Sequence, residues 1–316
     1  MSFSTDVKTE LASLKHLSCC NRAELSAMFH IGGSIELNRD GLHLIFQSTN
    51  LAVIRRVITL SKSLFGIELT LISKKQPKLQ KRDLFFVQIT ERLDQILSAL
   101  SLLNQSGMFF LDLDPELIRE ECDKRAYLRG AFLAGGSMNS PDTATYHLEI
   151  QTFSERQSQI ICDLANEFSL NAKITKNRRG IIVYIKEAEK IADFLRVVDA
   201  PNSLFTFEDS RIKRDFRNSI NRVINCDIAN EKKALDAATN QLDYIAIVEK
   251  HVQGQLPKGV EEVIRLRKEY PDATLNELSR LSAGLVGTTI SKSALNHRFR
   301  ALKDLAMPWI QEGHNR

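Results

Sequence analysis

Two stretches of this chain carry the same residues 103 positions apart (125 − 22): Arg22, Ala23, Leu25, Phe29, Gly32, Gly33 and Ser34 recur as Arg125, Ala126, Leu128, Phe132, Gly135, Gly136 and Ser137. A period of that length exceeds the roughly 20–50 residues of a solenoid unit, so it predicts two similar half-domains folded about a pseudo-twofold axis. The residues after each Gly-Gly-Ser agree. An alternating strand (Leu42, Leu44, Phe46; then His147-Leu148-Glu149-Ile150) leads to a helical stretch, 51–64 and then 155–168. A basic hairpin tip and an apolar strand follow, 84–89 and 181–185, and each half closes on a helix, 93–103 and 188–198. The order is αββαββα, written twice.

A helix that runs into Gly-Gly-Ser in each half resembles the LAGLIDADG homing endonucleases, whose signature helix ends near Gly-Asp-Gly-Ser. The second copy here reads Arg129-Gly130-Ala131-Phe132-Leu133-Ala134-Gly135-Gly136-Ser137, and the first Ser26-Ala27-Met28-Phe29-His30-Ile31-Gly32-Gly33-Ser34. In that alignment Gly32 and Gly135 replace the two metal-binding aspartates. Phosphodiester hydrolysis by this route needs a hard oxygen ligand from each helix end to hold Mg²⁺ on the scissile phosphate, and glycine has none. Glu36 and Asp142 stand 4 and 7 positions further on (36 − 32, 142 − 135), so they form no symmetric pair. The resemblance therefore implies the fold without catalytic residues, metal or cofactor. The glycines have a structural use: a left-handed helix end, and close approach of two helices along the axis.

With 316 residues, two or three domains are expected. No apolar run approaches the ~18 residues of a membrane span, and the start, Met1 to Asp6, lacks the basic and apolar regions of a signal peptide; a cytoplasmic chain is expected. Five cysteines (Cys19, Cys20, Cys122, Cys162, Cys226) show no CxxC or His-flanked spacing, so neither disulfides nor a metal site is expected from them.

The net charge is only +4, and its distribution matters more than its size. The first tip carries Lys74, Lys75, Lys78, Lys81 and Arg82, and the second Lys173, Lys176, Arg178 and Arg179. Such tips serve either as phosphate contacts or as solvated loops that keep strand edges apart. Beyond Pro201-Asn202-Ser203 a helical connector is expected, with Asn218, Asn221, Arg222 and Asn225 on one face and Phe216, Ile220, Val223 and Ile224 in an apolar stripe. Arg222 is a second candidate for DNA; hydrogen bonding between domains is the other use of that face.

The sharpest functional signal lies near the C-terminus. Pro257 and Gly259 open a helix that stops at Tyr270-Pro271; Thr274 and Glu277 form a capping box for a second; a turn over 283–287 leads to Ser291, an N-cap for a third running to about Ala306. This is a helix-turn-helix arrangement. At ~100° per residue, Ala294, Leu295, Phe299, Leu302, Leu305 and Ala306 share the inner arc of the third helix, and Lys292, Ser293, Asn296, His297, Arg300 and Lys303 the outer one. Asn can pair with adenine and Arg with guanine, while Lys serves phosphates. Arg298 sits at the edge of the inner arc, with its stem packed and its head expected to reach phosphate. Ser291, Lys292, Ser293, Asn296, His297, Arg298, Arg300 and Lys303 are thus the expected DNA-binding residues. Lys74, Lys75, Lys78, Lys176, Arg178, Arg179 and Arg222 are secondary candidates.

A degenerate LAGLIDADG module followed by this helix-turn-helix resembles the WhiA family. The likeness rests on Arg22-Ala23-Glu24-Leu25, the two Gly-Gly-Ser turns, Asn221-Arg222 with Asn225-Cys226 and Ala229-Asn230, and Ser291-Lys292-Ser293 with Asn296-His297-Arg298. It implies an α+β fold: a pseudo-twofold duplicated domain over 1–200 (halves about 1–105 and 106–200), a helical connector over 201–256, and an all-α helix-turn-helix domain over 257–316. It further implies a non-enzymatic, cytoplasmic and nucleoid-associated protein that binds double-stranded DNA. Its regulation of transcription would be linked to sporulation, cell division and chromosome segregation, its helix-turn-helix is similar to that of sigma-factor region four, and other regulatory or division proteins are further partners. No membrane and no small-molecule substrate is expected. The alternative is a nucleoid-associated scaffold that binds DNA with weak sequence preference; an active nuclease would need acids that the chain does not supply.

Overall fold

The computed structural model describes residues 2–15, 18–39, 41–74, 83–103, 109, 113–178 and 180–314, without the side chains of 18, 19 and 312–314. The chain divides into two compact units, Met1–Asp215 and Phe216–Arg316.

In the first unit the repeat is a repeat in three dimensions. After a short helix α1 (Phe3–Ala12), the first half runs α2 (Ser18–Gly32), β1 (Gly33–Asn38), β2 (Gly41–Ser48), α3 (Leu51–Phe65), β3 (Ile72–Lys74), β4 (Leu84–Ile89) and α4 (Leu93–Ala99). The second half runs α5 (Glu121–Gly135), β5 (Gly136–Met138), β6 (Leu148–Thr152), α6 (Glu155–Glu167), β7 (Lys173–Asn177), β8 (Gly180–Ile185) and α7 (Ala188–Val197). Each half builds one antiparallel four-stranded sheet, in the orders β1-β2-β4-β3 and β5-β6-β8-β7. Strand alternation puts Leu44, Phe46, Val87 and Ile89 of one sheet, and Leu148, Ile150, Val183 and Ile185 of the other, into one continuous core. The duplicated α+β architecture expected from the sequence is the one observed.

Helices α2 and α5 pack along the pseudo-twofold axis, and glycine sets how close they come. A Cβ on Gly130 would lie 2.2 Å from the Glu24 carbonyl oxygen and 2.9 Å from Cβ of Ala27, the position that the repeat pairs with it. Gly32 and Gly135 are close-packed too, chiefly against a strand of their own half. An added Cβ would sit 2.8 Å from Cε2 of Phe46 at the first, and 2.4 Å from the Gln151 carbonyl oxygen at the second. The left-handed conformation expected at these helix ends is absent: among the described glycines, positive φ occurs at Gly41, Gly66, Gly180, Gly254 and Gly287. Close packing alone accounts for the paired glycines.

One buried ion cluster joins the halves. Glu24 on α2, with no solvent exposure, accepts hydrogen bonds from Nε and Nη2 of Arg56 on α3 (2.6 and 3.0 Å) and from Nε of Arg129 on α5 (2.8 Å). Arg129 continues to the Val198 carbonyl and the Asp199 carboxylate, both at 3.2 Å, and Arg56 donates to the Leu14 carbonyl.

Helix α8 is a single span, Pro201–His251, beginning in the first unit and ending in the second. Its first turn is capped by Glu10 of α1, whose carboxylate accepts from the backbone N–H of Asn202 (2.7 Å) and Ser203 (2.8 Å), an anion on a helix N-terminus. In the second unit the end of α8 packs with α9 (Lys258–Glu269), α10 (Leu275–Val286) and α11 (Lys292–His314) around Ile245, Val248, Val263, Leu278, Leu295, Phe299 and Leu302. Helix α11 runs eight residues beyond the expected end at Ala306 (314 − 306), through Pro308. No described helix is long and apolar enough to cross a membrane.

Candidate nucleic-acid interface

At the paired helix ends of the first unit lies a groove of about 490 Å³, lined among others by Gly32, Ser34, Gln47, Gly135 and Gln151, with no carboxylate in its wall. Glu36 points from β1 into solvent, opposite His43 in the register, and Asp142 lies in the exposed turn after β5. Neither borders the groove. A residue missed by sequence reasoning stands nearby: Lys8 lines an adjoining cavity of about 780 Å³ with Gln47, Gly136 and Ser137, and burial lowers its ammonium pKa to about 8.

The sheet faces away from the helices are mixed in charge. Register places Ser34, Ile45 and Gln88 in one row and Glu36 beside His43 in the next. In the other sheet Ser137, Glu149, Tyr184 and Lys173 form a row. Of the tip residues, Lys74 and Arg178 are exposed, while Lys176 is exposed but paired with Glu155 of α6, whose pKa is held down by that hydrogen bond and charge. Lys75, Lys78, Lys81, Arg82 and Arg179 lie outside the described residues. Arg222 is exposed on α8, as are Asn218, Asn221 and Asn225. The apolar stripe expected on the same helix is exposed too: Phe216 at 66%, Ile220 at 41%, Val223 at 59% and Ile224 at 48%.

The second unit presents the third helix as its outer edge. The capping box is present: Thr274 Oγ1 accepts from the Glu277 N–H (3.3 Å), and the Glu277 carboxylate accepts from the Thr274 N–H (2.7 Å). Helix α10 continues through Ala283 and Gly284, so the turn starts at Gly287 (φ 80), later than the 283–287 expected. Two serines that the sequence reading passed over lock it. Ser279 Oγ donates to the Ile290 carbonyl (2.6 Å), and the fully buried Ser282 Oγ accepts from the Ile290 N–H (2.8 Å). Ser291 then caps α11 through the Ala294 N–H (3.3 Å).

Along α11, Leu295, Phe299, Leu302 and Ala306 are buried, while Lys292, Ser293, Asn296, His297, Arg300 and Lys303 are exposed, with Ser291 exposed at the cap. Arg298 differs from its expected role: its guanidinium is paired with Glu262 of α9 and packed over Gly259, so the head meets a carboxylate inside the unit. Arg267, only 1% exposed, holds the helices in register. It donates to Gln241 Oε1 (2.9 Å) and to the carbonyls of Tyr270 (3.2 Å), Pro271 (3.1 Å) and Ala273 (2.6 Å), and its guanidinium lies 5.5 Å from the Phe299 ring centroid. Burial lowers the pKa of its guanidinium from the ordinary value. Beside it a groove of about 520 Å³ gathers Lys233, Thr274, Asn276 and Lys292 at the start of α10. Two cations with a helix N-terminus make a surface suited to phosphate oxygens.

Comparison with known proteins follows the same segments. The model of the WhiA N-terminal LAGLIDADG-like domain matches residues 18–103, that of the WhiA LAGLIDADG-like domain residues 124–217, and that of the WhiA C-terminal HTH domain residues 220–306. The chain is 43% identical over 308 residues to "Probable cell division protein WhiA" of Shouchella clausii, covering 97% of this chain and 94% of that one. It is 41% identical over 307 residues to the protein of the same description in Bacillus cereus (strain AH187), covering 97% and 96%. A crystal structure of full-length DUF199/WhiA from Thermatoga maritima has the same fold, at a TM-score of 0.58 and 21% identity over 98% of this chain and 99% of that one. Similarity to these relatives along nearly the whole length, with the three domain models in the order of the folded segments, makes this chain a member of the WhiA family.

Proposed function

We propose that the chain is a sequence-specific double-stranded-DNA-binding protein that regulates transcription connected with cell division, sporulation and chromosome segregation, acting in the cytoplasm on the nucleoid and cleaving nothing. The observation that carries this is α11: one face is buried against α9 and α10, and the other holds Asn296 and Arg300 exposed between Lys292 and Lys303. Asn and Arg supply the paired hydrogen bonds that read base edges in a major groove, and the lysines positions for phosphate. The loss of cleavage is supported by the carboxylate-free groove at Gly32 and Gly135. The division of labour that fits is a duplicated module over 1–200, a connector over 201–256 and a DNA-reading domain over 257–316. Lys74, Arg178 and Arg222 add phosphate contacts in this reading, whereas Lys176 and Arg298 already face Glu155 and Glu262. The relatives described as cell division proteins support the process assigned.

A second reading, a nucleoid scaffold with protein partners and weak sequence preference, is favoured by the exposed stripe Phe216, Ile220, Val223 and Ile224 on α8. One experiment separates the two. A binding site is selected from random DNA with the full chain, and Asn296→Ala, Arg300→Ala and Lys303→Ala are titrated on that site and on random DNA. Base readout predicts a loss of about 1–3 kcal/mol on the selected site for the first two, with relaxed preference at one position each, and an equal loss on both DNAs for the third. Equal losses on both DNAs for all three variants overturn direct readout, and binding that falls away steeply with salt and keeps no specificity ratio favours the scaffold.

A further inference from the structure

The opposite ends of the two axial helices carry groups that the DNA-binding reading does not use. Cys20 lies at the start of α2, and Cys122 and Asp123 at the start of α5; their Sγ and carboxylate oxygen atoms all lie within 4.8 Å of one another. Twelve residues of helix separate Cys20 from Gly32 and Asp123 from Gly135, so this cluster is about 18 Å from the degenerate nuclease groove. It is a different place in the fold with different chemistry. We propose that Cys20, Cys122 and Asp123 form a binding site for a thiophilic divalent cation of the zinc type, clamping the first half of the module to the second.

Three observations carry the assignment. First, the three groups lie close enough to share one ion. Zn–S bonds of about 2.3 Å and Zn–O bonds of about 2.1 Å at tetrahedral angles put S···S near 3.8 Å and S···O near 3.6 Å; the Cys122 Sγ to Asp123 Oδ1 distance is 3.7 Å. Second, Asp123 is 5% exposed and has no cationic partner among the described residues. A buried carboxylate is ordinarily paired with a cation or bound to a metal, and the groups facing this one are the two thiols. Third, the ligand set is selective. Two thiolates and one carboxylate suit zinc and exclude Mg²⁺ and Ca²⁺, which take oxygen shells. The repeat supplies the symmetry, since position 122 is the partner of 19 and position 123 the partner of 20, and these four positions hold Cys, Asp, Cys and Cys. On binding, each thiol that is still protonated loses its proton to solvent, and the sulfur lone pair forms the bond to the metal; no electron is transferred.

The test uses the full chain, reduced and stripped of metal, titrated with Zn²⁺ against a chromophoric chelator and, separately, with Co²⁺, whose thiolate charge-transfer absorption reports sulfur ligands. The expected result is about one equivalent bound, sulfur-to-cobalt absorption, and a melting temperature of the first unit that rises with Zn²⁺. Cys122→Ser and Asp123→Asn should each weaken binding by at least about tenfold and remove the thermal shift; Cys122 is exposed, so its replacement leaves the packing intact. Cys226→Ser, on α8, should change nothing. Unchanged Zn²⁺ affinity in Cys122→Ser overturns the proposal. So does a Cys20–Cys122 disulfide that forms readily in air from a chain that takes up no metal when reduced.

Discussion

Glu24 is the group on which the junction of the two halves depends. It is wholly buried, and three guanidinium N–H groups from two arginines, 5% and 1% exposed, point at its carboxylate. Glu24→Gln keeps the shape, removes the charge and turns one acceptor into a donor. Among the described residues, Arg56 and Arg129 are then left buried with only Asp199, 42% exposed, to balance them. Removing one partner of a buried ion cluster costs about 3–5 kcal/mol, because the remaining charges stay desolvated. For a unit of the size Met1–Asp215, each kcal/mol is worth about 2–4 °C, so its melting transition should fall by about 6–20 °C in calorimetry. The transition of the second unit should stay where it is. Two controls frame the result. Glu68→Gln breaks the exposed Lys62–Glu68 pair and should leave the midpoint unmoved. The triple replacement Glu24→Leu, Arg56→Met and Arg129→Met removes charge and desolvation together and should recover most of the loss. If Glu24→Gln costs no more than Glu68→Gln, the cluster does not hold the halves together and the reasoning fails.

Gly135→Asp should not produce a nuclease: its Cβ meets the Gln151 carbonyl oxygen at 2.4 Å and Ile31 Cγ2 at 2.7 Å, so a loss of about 1–3 kcal/mol in stability is expected, and nicking of supercoiled plasmid in Mg²⁺ by the purified variant would refute this. In the second unit, hydrogen bonding by Thr274, backbone first, holds the Glu277 carboxyl below its ordinary 4.5. A depressed folded pKa contributes stability that is fully present above about pH 4.5 and is lost as the pH falls through the folded value. The gap in melting temperature between the parent chain and Glu277→Ala should therefore close below pH 4.5, and a gap that is flat from pH 7 to 3 would argue against the capping carboxylate.

Much of the candidate interface was legible because its signals are local. Helical spacing alone separates Leu295, Phe299 and Leu302 from Asn296, Arg300 and Lys303, and the structure buries the first group and exposes the second. Arg298 was misjudged because it lies on the border between those arcs, and its partner, Glu262, is 36 residues away. The turn before α11 was expected over 283–287, but Gly284 is helical and Gly287 is the residue that adopts positive φ. Ser279, Ser282 and Arg267 gave no sign in advance, since their partners, mostly backbone groups, converge only once the helices and the turns have packed.

The sequence by itself determined the duplication, the αββαββα order of each half, the absence of acids at the paired helix ends, and the two-faced helix that follows the capping box. These are set by periodicity and by residue identity at fixed offsets, which need no knowledge of distant contacts. Only the tertiary structure decided why the glycines are there, because a Cβ clash belongs to the opposing helix or strand. It alone joined Glu24 to Arg129 across 105 residues, and Cys20 to Cys122 and Asp123. The repeat partner of Glu24 is Tyr127 (127 − 24 = 103), so the ion cluster occurs once and breaks the symmetry that the repeat announces. Side chains that meet across a pseudo-twofold axis are far apart along the chain, and what they form depends on the packing of both halves together.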